Sequence, residues 1–292
     1  MATEQVRGRI ITEVGQAGFV PTGYFNPAYY DERFLDVESS LRSRGAGPLG
    51  RFIPELHPDG EKGITYGQVG ARKLNPRGSV RYLQVINIRD TGIDCAIKPD
   101  RIAEGSWNDP GRSRVSKDDI LLTNTAFRGT DTLIGRCVIV HRDYGKLNIS
   151  QDIDRIRVAG VSPYYIGAFL KTRLGQLQMQ RYIHGVDSQK INFGRIRALL
   201  IPELESHSQG EVQTQYMAMA RCHDRAMAIK ERLLEEARIE SCQYGDTINA
   251  LAMEKPAYRR AMQEAKARLD HLIAQLEAVI EGKQQTLEPY PR

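Results

Sequence analysis

From Glu211 to Ile280 apolar residues return every three or four positions. Val212, Tyr216, Met219, Cys222, Ala226, Ile229, Leu233 and Ala237 make one stripe, interrupted at Tyr244-Gly245-Asp246. After Pro256, at a helix start, a second stripe runs through Ala261, Ala265, Leu269, Leu272, Ile273, Leu276, Val279 and Ile280. This period is helical. Each helix is roughly 30 residues, about 45 Å long at 1.5 Å per residue. Helices of that length with one apolar stripe pack on each other or on another chain. Tyr216, Met219, Ile229, Leu233, Leu269, Leu272, Leu276 and Ile280 are therefore expected to form a coiled-coil-like partner or dimer surface.

The helical texture begins after Gly185–Pro202, a polar turn, a short basic segment and the apolar run Ala198-Leu199-Leu200-Ile201 halted by Pro202. Before it the chain is short strands and turns. The expected class is α+β: a mixed domain followed by long C-terminal helices. The expected division is a lead-in over 1–24, a domain over 25–204 and a long-helix region over 205–292.

Within that domain, Asn26-Pro27 reads as a cap and first residue of a helix carrying Tyr29, Tyr30, Phe34, Leu35, Val37 and Leu41. It stops at Gly45-Ala46-Gly47. Val80 to Ile88 alternates as a strand. Glu104 to Arg114 is a turn region holding the only tryptophan, Trp107. Lys117-Asp118-Asp119 is a turn before a strand at Ile120-Leu121-Leu122. Cys137 to Val140 is another strand, and Ile149 and Ile153 to Val158 suggest two more. Pro163 starts a helix through Leu177 that continues or frays toward His184.

No apolar run reaches the ~20 residues of a membrane span, and the N-terminal residues lack the apolar core of a secretory signal. The four cysteines are widely spaced, which argues against zinc and against a disulfide framework and fits a reducing cytoplasm. The six histidines are dispersed, and there is no HExxH, P-loop or GxSxG. Asn26-Pro27-Ala28-Tyr29 is similar to the catalytic tetrapeptide of adenine methyltransferases, but one proline is replaced and no glycine-rich cofactor turn precedes it. It reads as a helix cap. Neither a catalytic residue nor a metal site is expected.

The net charge of +5 is unevenly placed. Residues 51–204 hold 24 Lys and Arg against 16 Asp and Glu, a net of +8. A basic, arginine-rich body suggests a polyanion partner. Arg72, Lys73, Arg77 and Arg81 cluster beside Tyr66 and Gln68. Asn124, Thr125 and Arg128 lie in a second loop, Lys146 and Asn148 in a third, and Gln189, Lys190 and Asn192 in a fourth. Arg and Lys pair with guanine edges, Asn and Gln with adenine edges, and the cations also neutralise phosphates.

Several runs together resemble the specificity subunits of type I restriction–modification systems. Arg81-Tyr82-Leu83-Gln84-Val85-Ile86-Asn87-Ile88 is similar to that family's early strand. Ser116 to Leu122 resembles its "xxGDIL" strand, with Asp118 in place of the usual Gly. Pro163-Tyr164-Tyr165 to Gln176 resembles its helix beginning with proline and an aromatic. Ile201-Pro202-Glu203-Leu204 resembles the segment before its spacer helix, and Gln213 falls near that helix's usual Glu-Gln start. Phe25 to Asp31 resembles its lead-in helix. The likeness spans roughly 25–280. The chain departs from the family in lacking a clear proline-rich linker and Glu-Gln pair, and in showing one recognition domain where full-length members carry two.

The resemblance implies a non-catalytic, DNA-binding subunit. Its target recognition domain would read half of a bipartite double-stranded target. Its helices would measure distance and dock DNA methyltransferase subunits carrying S-adenosylmethionine, with a restriction subunit as a further partner. As a "half" subunit it would pair with a second copy. Two other readings fit the sequence: a coiled-coil scaffold with a passive globular head, and a DNA methyltransferase whose site is unrecognised.

Overall fold

The computed structural model describes residues 31–68, 74–75, 77–127, 134–182, 188–236 and 245–291. The Asn26-Pro27 helix start, Arg72, Lys73 and Arg128 lie outside the described residues.

Helix α1, Glu32–Ser43, begins where the Asp31 carboxylate accepts from the Arg33 backbone N–H, and buries Phe34, Val37 and Leu41. Strand β1 is Gly47–Pro48. An antiparallel sheet follows, in the order β2 (Ile64–Tyr66), β10 (Ile153–Ile156), β6 (Ile120–Thr123), β8 (Cys137–Ile139). A second sheet has the order β4 (Arg101–Ile102), β3 (Val80–Leu83), β9 (Leu147–Ile149), β5 (Arg114–Val115), with β3 and β9 parallel. A two-stranded ribbon joins β7 (Thr125–Phe127) to β11 (Ser188–Lys190).

Strands β6 and β8 of the first sheet are covered on both faces, so they read as apolar runs, Ile120-Leu121-Leu122 and Cys137-Val138-Ile139. Ile120, Leu122, Cys137 and Ile139 enter one core, under the helices, while Leu121 and Val138 enter the other, against the second sheet. The two-residue side-chain period divides them. Asp118, at the turn before β6, has φ = 70°, a left-handed conformation that glycine adopts freely. Tyr164 tethers it there, its hydroxyl donating to Asp118 Oδ1 at 2.9 Å.

Two expected elements are shorter than their patterns. The Val80–Ile88 strand ends at Leu83 and becomes a 3₁₀ turn, Val85–Asn87, because Asn87 Oδ1 accepts from the Gln84 N–H at 2.8 Å. The helix from Pro163 is two helices, α2 (Pro163–Lys171) and α3 (Arg173–Tyr182). Thr172, fully buried, leaves the helical conformation and restarts it, accepting from the Gly175 N–H at 3.1 Å. The described part of the 185–202 segment, 188–202, forms β11, a short helix α4 (Phe193–Ala198) and β12 (Leu200–Ile201), which pairs antiparallel with β1.

The tail is an antiparallel pair, α5 (Ser206–Glu236) and α7 (Pro256–Ile280), with α6 (Gly245–Glu254) between. Where the sequence showed only an interruption, α6 buries Ile248 and Ala252. Of the two packings the stripe allowed, helix on helix or helix on another chain, the structure shows the first: the stripe is buried inside this chain. Tyr216, Met219, Leu269, Leu272, Leu276 and Ile280 belong to the core that also holds α1, the first sheet and α2. Ile229 and Leu233 pack on the smaller cluster of Ala226, Met227, Ala252, Tyr258 and Ala261. The core therefore does not stop at residue 204. The base of the helical pair is part of the body, since burying the stripe there satisfies the same drive that dimerisation would.

Candidate nucleic-acid interface

Several exposed polar residues lie at and beyond the β2 edge of the first sheet. Tyr66 ends the edge strand β2, opposite Asp154, with its ring 5.8 Å from that of Phe193. Gly67 follows because β2 here crosses β9: a Cβ would lie 1.7 Å from the Ile149 carbonyl oxygen. Gln68 then bridges to Ser150, and its Oε1 accepts from Arg112 Nη2 at 3.3 Å. On the other flank Lys190 stands exposed on β11, opposite Thr125. Asn192 caps α4, its Oδ1 accepting from the Arg195 N–H at 3.0 Å, with the residue itself exposed. Asn192, Phe193, Tyr66, Gln68 and Arg112 thus form a continuous strip. Arg77 is exposed on a turn beside β4, where the Arg77 N–H donates to Asn75 Oδ1 at 3.1 Å and the Asn75 N–H donates to the Arg101 carbonyl at 2.8 Å.

Other residues expected to contact DNA are spent inside the fold. Asn124 donates from Nδ2 to Asp154 Oδ1 at 2.5 Å, and Thr125 Oγ1 donates to Asn124 Oδ1 at 2.6 Å; both are buried. Asn148 is fully buried: Nδ2 donates to Asp109 Oδ1 at 2.8 Å, and Oδ1 accepts from Ser113 Oγ at 2.7 Å. These three cannot reach a base edge. Arg81 faces the tail, 3.5 Å from Glu231 of α5, and exposed Lys146 pairs with Glu104. Gln189 lies on β11 opposite Ala126. Two arginines of the basic body are also internal. Arg155, fully buried, pairs with Glu61 at 2.6 Å, and Arg157 clamps Asp119 at 2.6 Å. Sequence reasoning passed over Arg112 because it sits in a glycine-rich turn with no strand pattern beside it.

Behind the strip lies Asp154. Burial pushes its carboxyl up to about 8, against the opposing pull of the Asn124 hydrogen bond and Lys190. Its Oδ2 has no hydrogen-bond partner. A neutral carboxyl avoids burying an uncompensated charge.

Polar contacts tie α5 to the body. The Thr91 hydroxyl and His223 Nδ1 are 2.9 Å apart, and His223 Nε2 is 3.2 Å from the Ile93 carbonyl. Nε2 must donate to that carbonyl, so in the neutral ring Nδ1 accepts from Thr91; burial holds the ring's pKa below its usual value. Gly92 admits this approach, since a Cβ there would be 2.3 Å from the His223 ring. Lys230 and Asp94 form an ion pair in which both side chains are buried. Burial raises the Asp224 carboxyl, but His141 and Arg142 outweigh it and hold it below the usual range.

Among the described residues no group of three or more His, Cys, Asp or Glu side chains could hold a metal ion, and no helix is long and apolar enough to cross a membrane. No family model and no curated protein matches the chain. Two solved structures are similar to it. One is the S subunit of a type I restriction-modification system from M. genitalium, 11% identical with a TM-score of 0.41, over 66% of this chain and 42% of that one. The other comes from a structure addressing complex assembly and conformational transition of the type I R-M system, 12% identical with a TM-score of 0.35, over 96% of this chain and 57% of that one. The chain spans about half the length of these two structures.

Proposed function

We propose that this chain is a specificity subunit that directs adenine methyltransferase subunits, and a restriction subunit where present, to a bipartite DNA target. The observation that carries this reading is the strip from Asn192 through Tyr66 and Gln68 to Arg112, with Lys190 and Arg77 at its flanks. It combines hydrogen-bonding side chains, an exposed aromatic ring and cations, drawn from stretches far apart in sequence, on a body tied to a 31-residue helix. Hydrogen-bonding side chains read base edges, and cations position them on the phosphates. The order of sequence motifs supports the same reading.

In this reading the chain itself does no bond chemistry. S-adenosylmethionine and methyl transfer belong to the partner methyltransferase. The outer faces of α5, α6 and α7 are left for docking, because their apolar stripe is already buried. Two copies about a two-fold axis would present two strips to two half-sites.

The test is duplex binding by fluorescence anisotropy across a salt series, with and without methyltransferase subunits. Affinity should fall steeply with salt as counterions are released. No binding to any duplex at low salt, with the methyltransferase subunits also present, would end the proposal in favour of a scaffold.

A further inference from the structure

Trp107 is 67% exposed, more than any other large apolar side chain among the described residues. It is also the only tryptophan in the chain. Exposing an indole forgoes the gain that burying so large an apolar side chain would bring. The fold nonetheless builds a support for it.

Trp107 rides on a turn between β4 and β5. The Ser106 N–H donates to the Ala103 carbonyl at 3.2 Å, and the Asp109 N–H donates to the Ser106 carbonyl at 2.9 Å. Gly105, at φ = 69°, takes the left-handed seat this turn requires and donates its N–H to Asp109 Oδ2 at 3.0 Å. Asp109 is buried and also accepts from Asn148 and, at 2.6 Å, from Arg114. Burial raises the Asp109 carboxyl, but these bonds outweigh it and hold it below the usual range. Asn148, expected from the sequence to touch DNA, is instead a strut beneath Trp107.

The turn stands between two parts of the candidate interface. On one side Arg112 reaches Gln68. On the other, Ser79 Oγ donates to Glu104 Oε2 at 3.2 Å, next to the Arg77 turn. Arg114 and Lys146 are matched by Asp109 and Glu104 of the turn. Arg77, Arg101 and Arg112 have no ion pair among the described residues. Trp107 is thus an exposed ring on a hydrogen-bonded turn that lies in the chain between Arg101 and Arg112, which suits a nucleobase framed by phosphates.

We infer that Trp107 stacks on a nucleobase of the bound duplex, as an aromatic wedge at a base step beside the strip from Asn192 to Arg112. This rests on the DNA-specificity reading. Wedges of this kind unstack a step locally and add sequence preference through deformability, without reading base edges.

Because the chain holds one tryptophan, its emission reports this residue alone. The probe is a short duplex recovered by the wild-type chain from a randomised pool. Indole fluorescence should be quenched on binding, in step with anisotropy of the labelled duplex. Trp107→Ala should bind that duplex roughly tenfold more weakly, and Trp107→Phe should recover part of the loss, with both melting as wild type does because the ring is exposed. Quenching together with a weakened Trp107→Ala supports the stack. Duplex binding with unquenched emission and an unimpaired Trp107→Ala overturns it and leaves the DNA reading standing. Failure to recover any duplex, with methyltransferase subunits also present in the selection, overturns both.

Discussion

The seam between α5 and the body, and the strip around Tyr66, draw on similar polar residues in opposite ways. At the seam the groups are matched: Lys230 with Asp94, His223 with Thr91 and the Ile93 carbonyl, Asp224 with His141 and Arg142. Along the strip, the cations at Arg77, Arg112 and Lys190 have no ion pair among the described residues, and Tyr66 keeps 42% of its surface open. Matched buried groups fix geometry, whereas exposed ones keep hydrogen-bonding capacity for an outside ligand. Residue type alone does not separate these roles; the accessibility of the partner does.

Four substitutions test that contrast, the largest effect first. Asp94→Ala leaves the Lys230 ammonium buried without its partner and should cost about 3–5 kcal/mol of unfolding free energy. The double variant Asp94→Ala, Lys230→Met should regain much of this in urea titrations. An Asp94→Ala protein as stable as wild type would show that the seam is not held by this pair. Tyr216→Phe removes the hydroxyl that accepts from the Ile139 N–H at 3.1 Å in a buried site. The unsatisfied donor should cost about 1–3 kcal/mol, read as a lowered melting temperature with DNA affinity unchanged. Unaltered stability would mean that the N–H finds another acceptor.

Lys190→Ala should leave the melting temperature unchanged and reduce the slope of log affinity against log salt by about one. An unchanged slope removes Lys190 from the phosphate contacts. The subtlest test is Asp154→Asn, because it alters a slope in pH. The folded carboxyl, at about 8, lies above its unfolded value of 3.8. The folded state therefore holds a proton that the unfolded state releases between these values, and stability falls as pH rises through that window. The variant should show a flatter melting temperature from pH 4 to 8 than wild type; equal steepness would place the titration elsewhere.

The helices at Pro163 and Pro256 were legible because proline and helical spacing are local signals, and the strand at Ile120 because a buried strand reads as an apolar run. The limits were long-range. The direction in which the tail stripe faces depends on Tyr216 meeting Ile139, 77 positions away. Asn124 and Asn148 look like surface polar residues until Asp154 and Asp109 close over them. Arg155 and Arg157 counted toward a basic surface, yet their acidic partners include Glu61 and Asp119, separated from them by long intervals of sequence. At the candidate site, Tyr66, Gln68, Arg77, Lys190 and Asn192 are legible from residue type alone. Arg112 and Trp107 were distinguishable only once the turn carrying them was seen against Gln68.

Tyr216 and Lys230 hold α5 to the body at points fourteen residues apart on one unbroken helix. With about 0.5 Å of thermal play at each point, a rod pinned at two places about 21 Å apart tilts by only about 2°. Such a tilt displaces a point about 30 Å along the rod by about 1 Å, a fraction of the roughly 3.4 Å between successive bases. On the proposed reading, a subunit docked on the outer end of the helices would thereby be held to within a single base step of where the body sits.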